Sequence, residues 1–119
     1  MKKILVAEDN DSNYILMTYI LKKAYQYERA KNGQEAVEMV AKGGEYDLVL
    51  MDIKMPVMNG LEATKKIKEI RPNLPIIAVT ANAFDSDRQA AFDCGCDDFL
   101  SKPISSDVCL DTIAKVLGE

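Results

Sequence analysis

The chain has 119 residues, of which 48% are hydrophobic and 29% are charged, and it carries a formal net charge of -4 with no histidine. This length is typical of one domain, and the hydrophobic content is sufficient for a buried core. The acidic balance disfavours direct binding to nucleic-acid phosphates, and the absence of histidine excludes sites that depend on that side chain.

Apolar runs along the chain are short and resemble strands. None approaches the roughly 20 residues of a membrane-spanning helix, and the opening MKKILVAED lacks the apolar region and cleavage site of a signal peptide. We therefore expect a cytoplasmic protein without membrane insertion. The odd number of cysteines indicates reduced thiols, and the Cys94-x-Cys96 pair lacks the other ligands of a tetrahedral zinc site.

Strands and helices alternate along the sequence, as the switching hydrophobic period indicates. Ser12 or Asp11 is the expected cap of the first helix, and Asn32-Gly33 is expected to form a turn before the second. In chain order we predict strand Lys3–Ala7, helix Ser12–Lys23, strand Tyr25–Ala30, a helix ending at Gly43-Gly44, a strand in DLVLMD, helix Gly60–Ile70, strand Ile76–Thr80, a helix across DSDRQAAFDCG, a strand in DDFLS, and a helix in SSDVCLDTIAKVLG.

This alternation predicts a doubly wound α/β fold. Five parallel strands joined by right-handed crossovers would be covered on both faces by five helices. The pattern runs from the first residues to the last, so we expect one domain over residues 1–119.

Polar side chains fall where the predicted strands end. Glu8 and Asp9 follow the first strand, Asp52 ends the third, Thr80 ends the fourth, and Lys102 follows the fifth. Each has an ordinary explanation when taken alone, because acids start turns or cap helices and lysines lie in solvent. Since the carboxyl ends of parallel strands share one edge of the sheet, we expect the five side chains to meet there.

Such a cluster favours phosphoryl chemistry with Mg²⁺. Neighbouring carboxylates raise one another's pKa values unless a cation lies among them, and Mg²⁺ accepts one or two carboxylates together with water and a phosphate oxygen. Lys102 and Thr80 are suitable contacts for the remaining phosphoryl oxygens. Asp52 can then act as a nucleophile that becomes an aspartyl phosphate. Pro103 fixes the backbone beside Lys102 in a tight turn, in which the bond can be cis or trans.

Four segments resemble the receiver domains of two-component response regulators, the CheY-like superfamily, over essentially the full chain. They are VAEDN, LVLMDIKMPVMNG, AVTANAF and DDFLSKPI, and their wording is most similar to receivers of hybrid sensor kinases. The resemblance implies a flavodoxin-like sheet with strand order 2-1-3-4-5. It also implies the following roles: Glu8 and Asp9 as the acidic pair, Asp52 as phosphoacceptor, Thr80 as switch hydroxyl, Lys102 as phosphate-binding lysine, Phe99 as switch aromatic, and the backbone carbonyl of Lys54 as a further metal ligand.

By the same resemblance the domain catalyses only its own phosphorylation and dephosphorylation. The donor would be a phosphohistidine on a histidine kinase or phosphotransfer domain, and a downstream protein would bind the face formed by the fourth helix, fifth strand and fifth helix. Two departures from the family pattern are Phe99, where tyrosine is common, and Glu8, whose longer arm can reach a metal through water. We expect Lys54 and Asn82 to flank the phosphoryl group and slow its hydrolysis.

Other phosphate-binding classes fit the sequence less well. A haloacid-dehalogenase-type phosphatase carries D-x-D after its first strand, whereas here DIK follows the third. A flavin-binding module needs hydrogen-bond donors where EDNDSN is acidic, and no P-loop sequence occurs. A degenerate receiver that acts only as a protein-binding scaffold remains an alternative, which phosphorylation by acetyl phosphate with Mg²⁺ would distinguish.

Overall fold

The apolar runs form strands and the amphipathic stretches form helices in a computed structural model of the chain. The structure describes residues 1–81 and 85–119, without the side chains of 85–87. Within these ranges the strands are β1 (Lys3–Ala7), β2 (Gln26–Ala30), β3 (Leu48–Asp52), β4 (Ile76–Thr80) and β5 (Asp98–Ser101). The helices are α1 (Asp11–Leu21), α2 (Gly33–Ala41), α3 (Gly60–Ile70), α4 (Asp85–Asp93) and α5 (Ser106–Leu117).

The strands form one parallel sheet in the order β2-β1-β3-β4-β5. This confirms the doubly wound fold and the strand order that the family resemblance implied. Every residue of β3 and β4 is buried, as expected for central strands covered on both faces. The chain leaves β1 for β2 on one side and returns to β3 on the other, so the order reverses beside β1, where ligands bind in such sheets.

The core consists of two hydrophobic clusters, one on each face of the sheet. Ile4 and Val6 point into the cluster that includes residues of α1 and α5, whereas Leu5 and Ala7 point into the cluster that includes residues of α2 and α3. This division follows from the alternation of side chains along a strand. The two clusters hold the strand ends in a fixed relation at the carboxyl edge.

Two helix starts differ from the sequence prediction. Asn10, rather than Ser12 or Asp11, caps α1, because its side chain accepts a hydrogen bond from the amide of Asn13. Asn32 likewise caps α2 by accepting from the amide of Glu35, so Gly33 is the first helical residue and not part of a separate turn. In both cases an extended asparagine satisfies an amide that the helix itself leaves without a partner.

Helix α3 starts against the end of β3. The amide of Gly60 donates to the carbonyl of Ile53 at 2.8 Å, and a Cβ at Gly60 would lie 2.1 Å from the Asp52 carbonyl oxygen. Only glycine therefore allows this approach. Directly after β5, at the same carboxyl edge of the sheet, the Lys102-Pro103 peptide bond is cis.

The cysteines are free, as the sequence indicated. Cys96 and Cys109 are buried, and burial raises the pKa of each thiol to about 11. Within the described ranges, no helix combines the length and apolar character needed to cross a membrane.

Candidate functional site

The predicted side chains at the carboxyl edge come together. Asp52 and Thr80 are the last residues of β3 and β4, and both are buried. The oxygens that Glu8, Asp9 and Asp52 offer all lie within 4.8 Å of one another. The sheet topology thus assembles the acids from two neighbouring strands, β1 and β3, at the point where the strand order reverses.

Lys102 contacts two of these acids. Its Nζ lies 3.2 Å from Glu8 Oε1 and 3.2 Å from Asp52 Oδ2. Its backbone amide donates to the carbonyl oxygen of Thr80 at 2.8 Å, which ties the residue after β5 to the end of β4. Glu8 is fully buried and Asp52 is 3% exposed, so these ion pairs lie in a poorly solvated environment where charge interactions are strong.

The ionisable groups of the acidic cluster leave an excess of negative charge. Burial first, and the neighbouring Asp52 second, raise the pKa of Glu8 to about 7, because Lys102 opposes them only in part. Burial by itself lowers the pKa of Lys102, but the carboxylates of Asp52 and Glu8 outweigh burial, so the pKa is raised. A single ammonium therefore does not neutralise the acidic cluster.

Glu8 provides a test of whether a metal ion fits this cluster. Its Oε1 accepts no hydrogen bond from any residue that the structure describes, although Lys102 Nζ lies within ion-pair distance. Its Oε2 has a long contact of 3.4 Å with the amide of Asn10. A buried carboxylate oxygen without a directed donor, beside an exposed Asp9 that solvent can reach, matches the oxygen ligands of a hard divalent cation.

The loop after β3 is anchored to Asp52. The amide of Lys54 donates to Asp52 Oδ1 at 3.2 Å, and the Lys54 side chain is exposed. Asp52 is thereby held from both sides, by this amide at Oδ1 and by Lys102 at Oδ2. Asn82, expected to flank the same site, lies outside the described residues.

Phe99 is a residue of β5, and its ring faces α4. Its half-buried ring contacts Phe92 edge-on at 6.5 Å, and the Arg88 guanidinium lies 4.8 Å from the ring centroid. Both contacts come from α4. The ring thus connects two of the three elements of the face to which the sequence analysis assigned the downstream partner.

Arg29 is a residue of the site that the sequence analysis missed. From β2 it donates through Nε to the Glu8 carbonyl at 3.1 Å and through Nη2 to the Asp9 carbonyl at 3.3 Å. The sequence shows only that a charged residue stands just before the end of the second predicted strand, which does not identify its contact. Its register partner Val6 is two residues from Glu8, but that pairing requires the strand order.

A family model, the response regulator receiver domain, matches residues 4–114. The chain belongs to this family. Among curated relatives, the receiver domain is 39% identical to the hybrid signal transduction histidine kinase I of Dictyostelium discoideum, over 94% of this chain and 7% of that protein. It is 38% identical to the polar-differentiation response regulator DivK of Brucella anthropi, over 99% of this chain and 98% of that protein. The receiver domain therefore spans a small part of the hybrid kinases and nearly all of DivK.

Solved structures share the fold of this receiver domain. The receiver domain of sensor histidine kinase PA1611 from Pseudomonas aeruginosa, which has a magnesium ion coordinated in its active-site cleft, matches with a TM-score of 0.90 and 32% identity, covering 99% of this chain and 98% of that one. The Vibrio cholerae chemotaxis protein CheY4 matches with a TM-score of 0.90 and 28% identity, covering 98% of each chain.

Proposed function

We propose that this receiver domain accepts a phosphoryl group on Asp52 from a phosphohistidine, in a reaction that depends on Mg²⁺. The donor would be a histidine kinase or a histidine phosphotransfer domain. The similarity of this chain to receiver segments of hybrid histidine kinases supports these partners. We assign this function to one domain over residues 1–119. The observation that carries the proposal is the buried Asp52 carboxylate at a strand end, with Lys102 Nζ 3.2 Å from Oδ2 and two further acids beside it.

The proposed metal ligands are the carboxylates of Glu8, Asp9 and Asp52 and the backbone carbonyl of Lys54. They are supported by the clustered carboxylate oxygens and by the Glu8 oxygen without a hydrogen-bond donor among the described residues. When bound, Mg²⁺ would offset the repulsion between these acids and the incoming phosphoryl oxygens.

The protein's own groups would perform the transfer. An Asp52 carboxylate oxygen attacks phosphorus, the phosphorus–nitrogen bond of the donor breaks, and the imidazole nitrogen keeps the electron pair. Lys102 and Thr80 would hold phosphoryl oxygens by an ammonium and a hydroxyl. Hydrolysis then breaks the new phosphorus–oxygen bond by attack of water and restores the Asp52 carboxylate. The domain would thus catalyse only its own phosphorylation and dephosphorylation and have no separate substrate.

We further propose that phosphorylation changes the surface formed by α4, β5 and α5, where a downstream protein would bind. Thr80 would move toward the phosphoryl oxygens and Phe99 would fill the space that this opens. Support comes from the position of Thr80 at the end of β4 and from the contacts of Phe99 with Arg88 and Phe92 on α4.

The net charge of -4 supports a protein partner rather than nucleic acid, and three free thiols support a cytoplasmic location.

Acetyl phosphate with Mg²⁺ tests the proposal. We expect intact-protein mass spectrometry to show the addition of one phosphoryl group, which excess chelator prevents and Asp52→Asn abolishes. Equal labelling in chelator would refute the metal requirement, and no labelling of the wild type by acetyl phosphate or by any phosphohistidine donor would indicate a scaffold. Radiolabelled phosphohistidine donors then identify the donor class, and direct labelling by ATP alone would contradict it.

A further inference from the structure

The guanidinium of Arg29 joins three parts of the chain beside the acidic pair. It extends from β2 and donates to the carbonyls of Glu8 and Asp9 at 3.1 and 3.3 Å. Its Nη2 also lies 2.9 Å from Asp11 Oδ1 in the first turn of α1, and its Cζ lies 4.5 Å from the ring centroid of Tyr14. The Arg29 side chain is 18% exposed, so most of it is enclosed by these contacts.

These contacts restrain the backbone that carries the two acids. A guanidinium presents several N–H groups in a rigid plane, so donation to two successive carbonyls fixes both peptide groups at once. The direction of each side chain follows from the backbone that bears it. Without such a restraint, the repulsion between neighbouring carboxylates would favour arrangements in which Glu8 and Asp9 turn apart.

We infer that Arg29 is a positioning residue for the acidic pair, which holds the Glu8 and Asp9 carboxylates in the arrangement that a divalent cation requires. The inference rests on the proposed function, because it concerns the affinity of the same cluster for Mg²⁺. Arg29 would not ligate the ion, and its positioning effect would act through the loop backbone.

Two effects of Arg29 on a nearby cation have opposite signs, and they can be separated. The positive charge of Arg29 repels Mg²⁺, whereas an ordered loop spares the ion the cost of bringing its ligands together. Arg29→Lys keeps the charge and loses the planar fork, and Arg29→Gln loses the charge and the fork together. If positioning dominates, both variants bind Mg²⁺ more weakly, whereas if charge dominates, Arg29→Lys is unchanged and Arg29→Gln binds more tightly.

Isothermal titration calorimetry with Mg²⁺ at constant ionic strength tests this inference without any phosphorylation. We expect the dissociation constant to rise by about tenfold in both variants, the lower end of the range for groups that orient metal ligands. Amide hydrogen exchange without metal should be faster across residues 8–11 in Arg29→Lys. An unchanged dissociation constant in Arg29→Lys, with thermal unfolding that shows a folded protein, would overturn the inference.

Two further variants serve as controls. Arg71→Lys alters an arginine that also donates to a backbone carbonyl, that of Gly44 at 2.5 Å, but at the opposite edge of the sheet, so Mg²⁺ affinity should not change. Asp11→Asn removes only the ion pair with Arg29, and because Asp11 is 83% exposed this change should affect affinity little. A tenfold loss in Asp11→Asn would assign the effect to that ion pair and overturn the inference. A wild type that binds no Mg²⁺ would instead refute the proposed function itself.

Discussion

Lys102 Nζ is equidistant, at 3.2 Å, from Glu8 Oε1 and Asp52 Oδ2. The ammonium therefore divides its charge between a fully buried acid and a nearly buried one. The raised pKa of Glu8 shows the consequence, since burial and Asp52 together outweigh Lys102. Without a bound metal, the buried carboxylates of Glu8 and Asp52 therefore repel each other more than Lys102 can offset.

Glu8→Gln should stabilise the metal-free protein above neutral pH. The pKa of Glu8 is raised to about 7 from its usual 4.5, so the folded state binds a proton that the unfolded state has lost between these values. Stability therefore falls as pH rises through this window, and the variant avoids that loss. Urea unfolding at pH 8 should show a gain of order 1 to 3 kcal/mol, which disappears near pH 4.5.

Mg²⁺ should reverse the order of stability, so that the wild type becomes more stable than Glu8→Gln. A ligand that binds only the folded state raises stability, so the wild type should gain more from Mg²⁺ than Glu8→Gln, which lacks one proposed ligand. Equal stability of the two proteins at every pH without metal would contradict the charge excess. Glu38→Gln, which alters an exposed glutamate on α2, is the matched control and should leave stability at the wild-type value.

Thr80→Ala should separate phosphorylation from the switch. The Asp52 nucleophile, the acids and Lys102 are retained, so acetyl phosphate should still label Asp52, with labelling largely intact. The shift of Phe99 and α5 resonances on phosphorylation, followed by NMR, should be greatly reduced because the hydroxyl that moves has been removed. Thr18→Ala on α1 is the control, and wild-type shifts in Thr80→Ala would exclude the proposed coupling.

Lys54→Ala should shorten the lifetime of the phosphorylated protein. Lys54 lies in the loop that follows Asp52 directly, and its amide is tied to the Asp52 carboxylate. Its long exposed side chain can therefore lie over the phosphoryl group and restrict water that attacks in line. We expect dephosphorylation to accelerate several-fold, or about 1 kcal/mol of barrier. Decay of the radiolabel in Mg²⁺ measures this effect, with Lys66→Ala, an exposed lysine on α3, as control. Equal half-lives would mean that the exposed Lys54 side chain simply extends into solvent.

Tyr46→Phe should weaken the fold and alter its response to alkali. The Tyr46 hydroxyl donates to Glu28 Oε1 at 2.7 Å, and burial, together with Glu28, raises the Tyr46 pKa to about 12. Between the unfolded value of 10 and this value the folded state keeps a proton that the unfolded chain loses, so stability falls as pH rises. The variant should lose about 1 kcal/mol at pH 7 and show a smaller decline above pH 10.

The control for this alkaline effect is Tyr19→Phe. Tyr19 is 64% exposed on α1, so removing its hydroxyl should leave stability at pH 7 unchanged. Denaturant unfolding at pH 7 and at pH 11 provides the comparison. A Tyr46→Phe decline between these pH values as steep as that of the wild type would show that the buried hydroxyl does not contribute to alkaline unfolding.

The central strands and the cluster at their ends were predictable from sequence, whereas local caps were not. Strands β1 and β4 and helix α3 have the predicted bounds because apolar runs and turn residues mark them clearly. The cap of α1 was assigned wrongly because DNDSN offers several residues with similar capping ability, and only backbone geometry selects Asn10. Periodicity cannot resolve a choice among adjacent polar residues.

Long-range contacts were the other feature that the sequence did not predict. Arg29 reaches the acidic loop across the β1–β2 pairing, a contact between residues about 20 positions apart that no local pattern encodes. The complete burial of Glu8 was also not evident, since an acid after a strand is usually exposed. Both facts depend on how strands are ordered, which sequence alternation alone leaves open.

The hydrogen bond from the Lys102 amide to the Thr80 carbonyl joins the two residues proposed to hold the phosphoryl group. Because an amide proton's resonance frequency depends on the length of its hydrogen bond, any displacement of the β4 end should change the Lys102 signal directly. One backbone resonance thus offers a spectroscopic measure of the switch that does not require the downstream partner to be known.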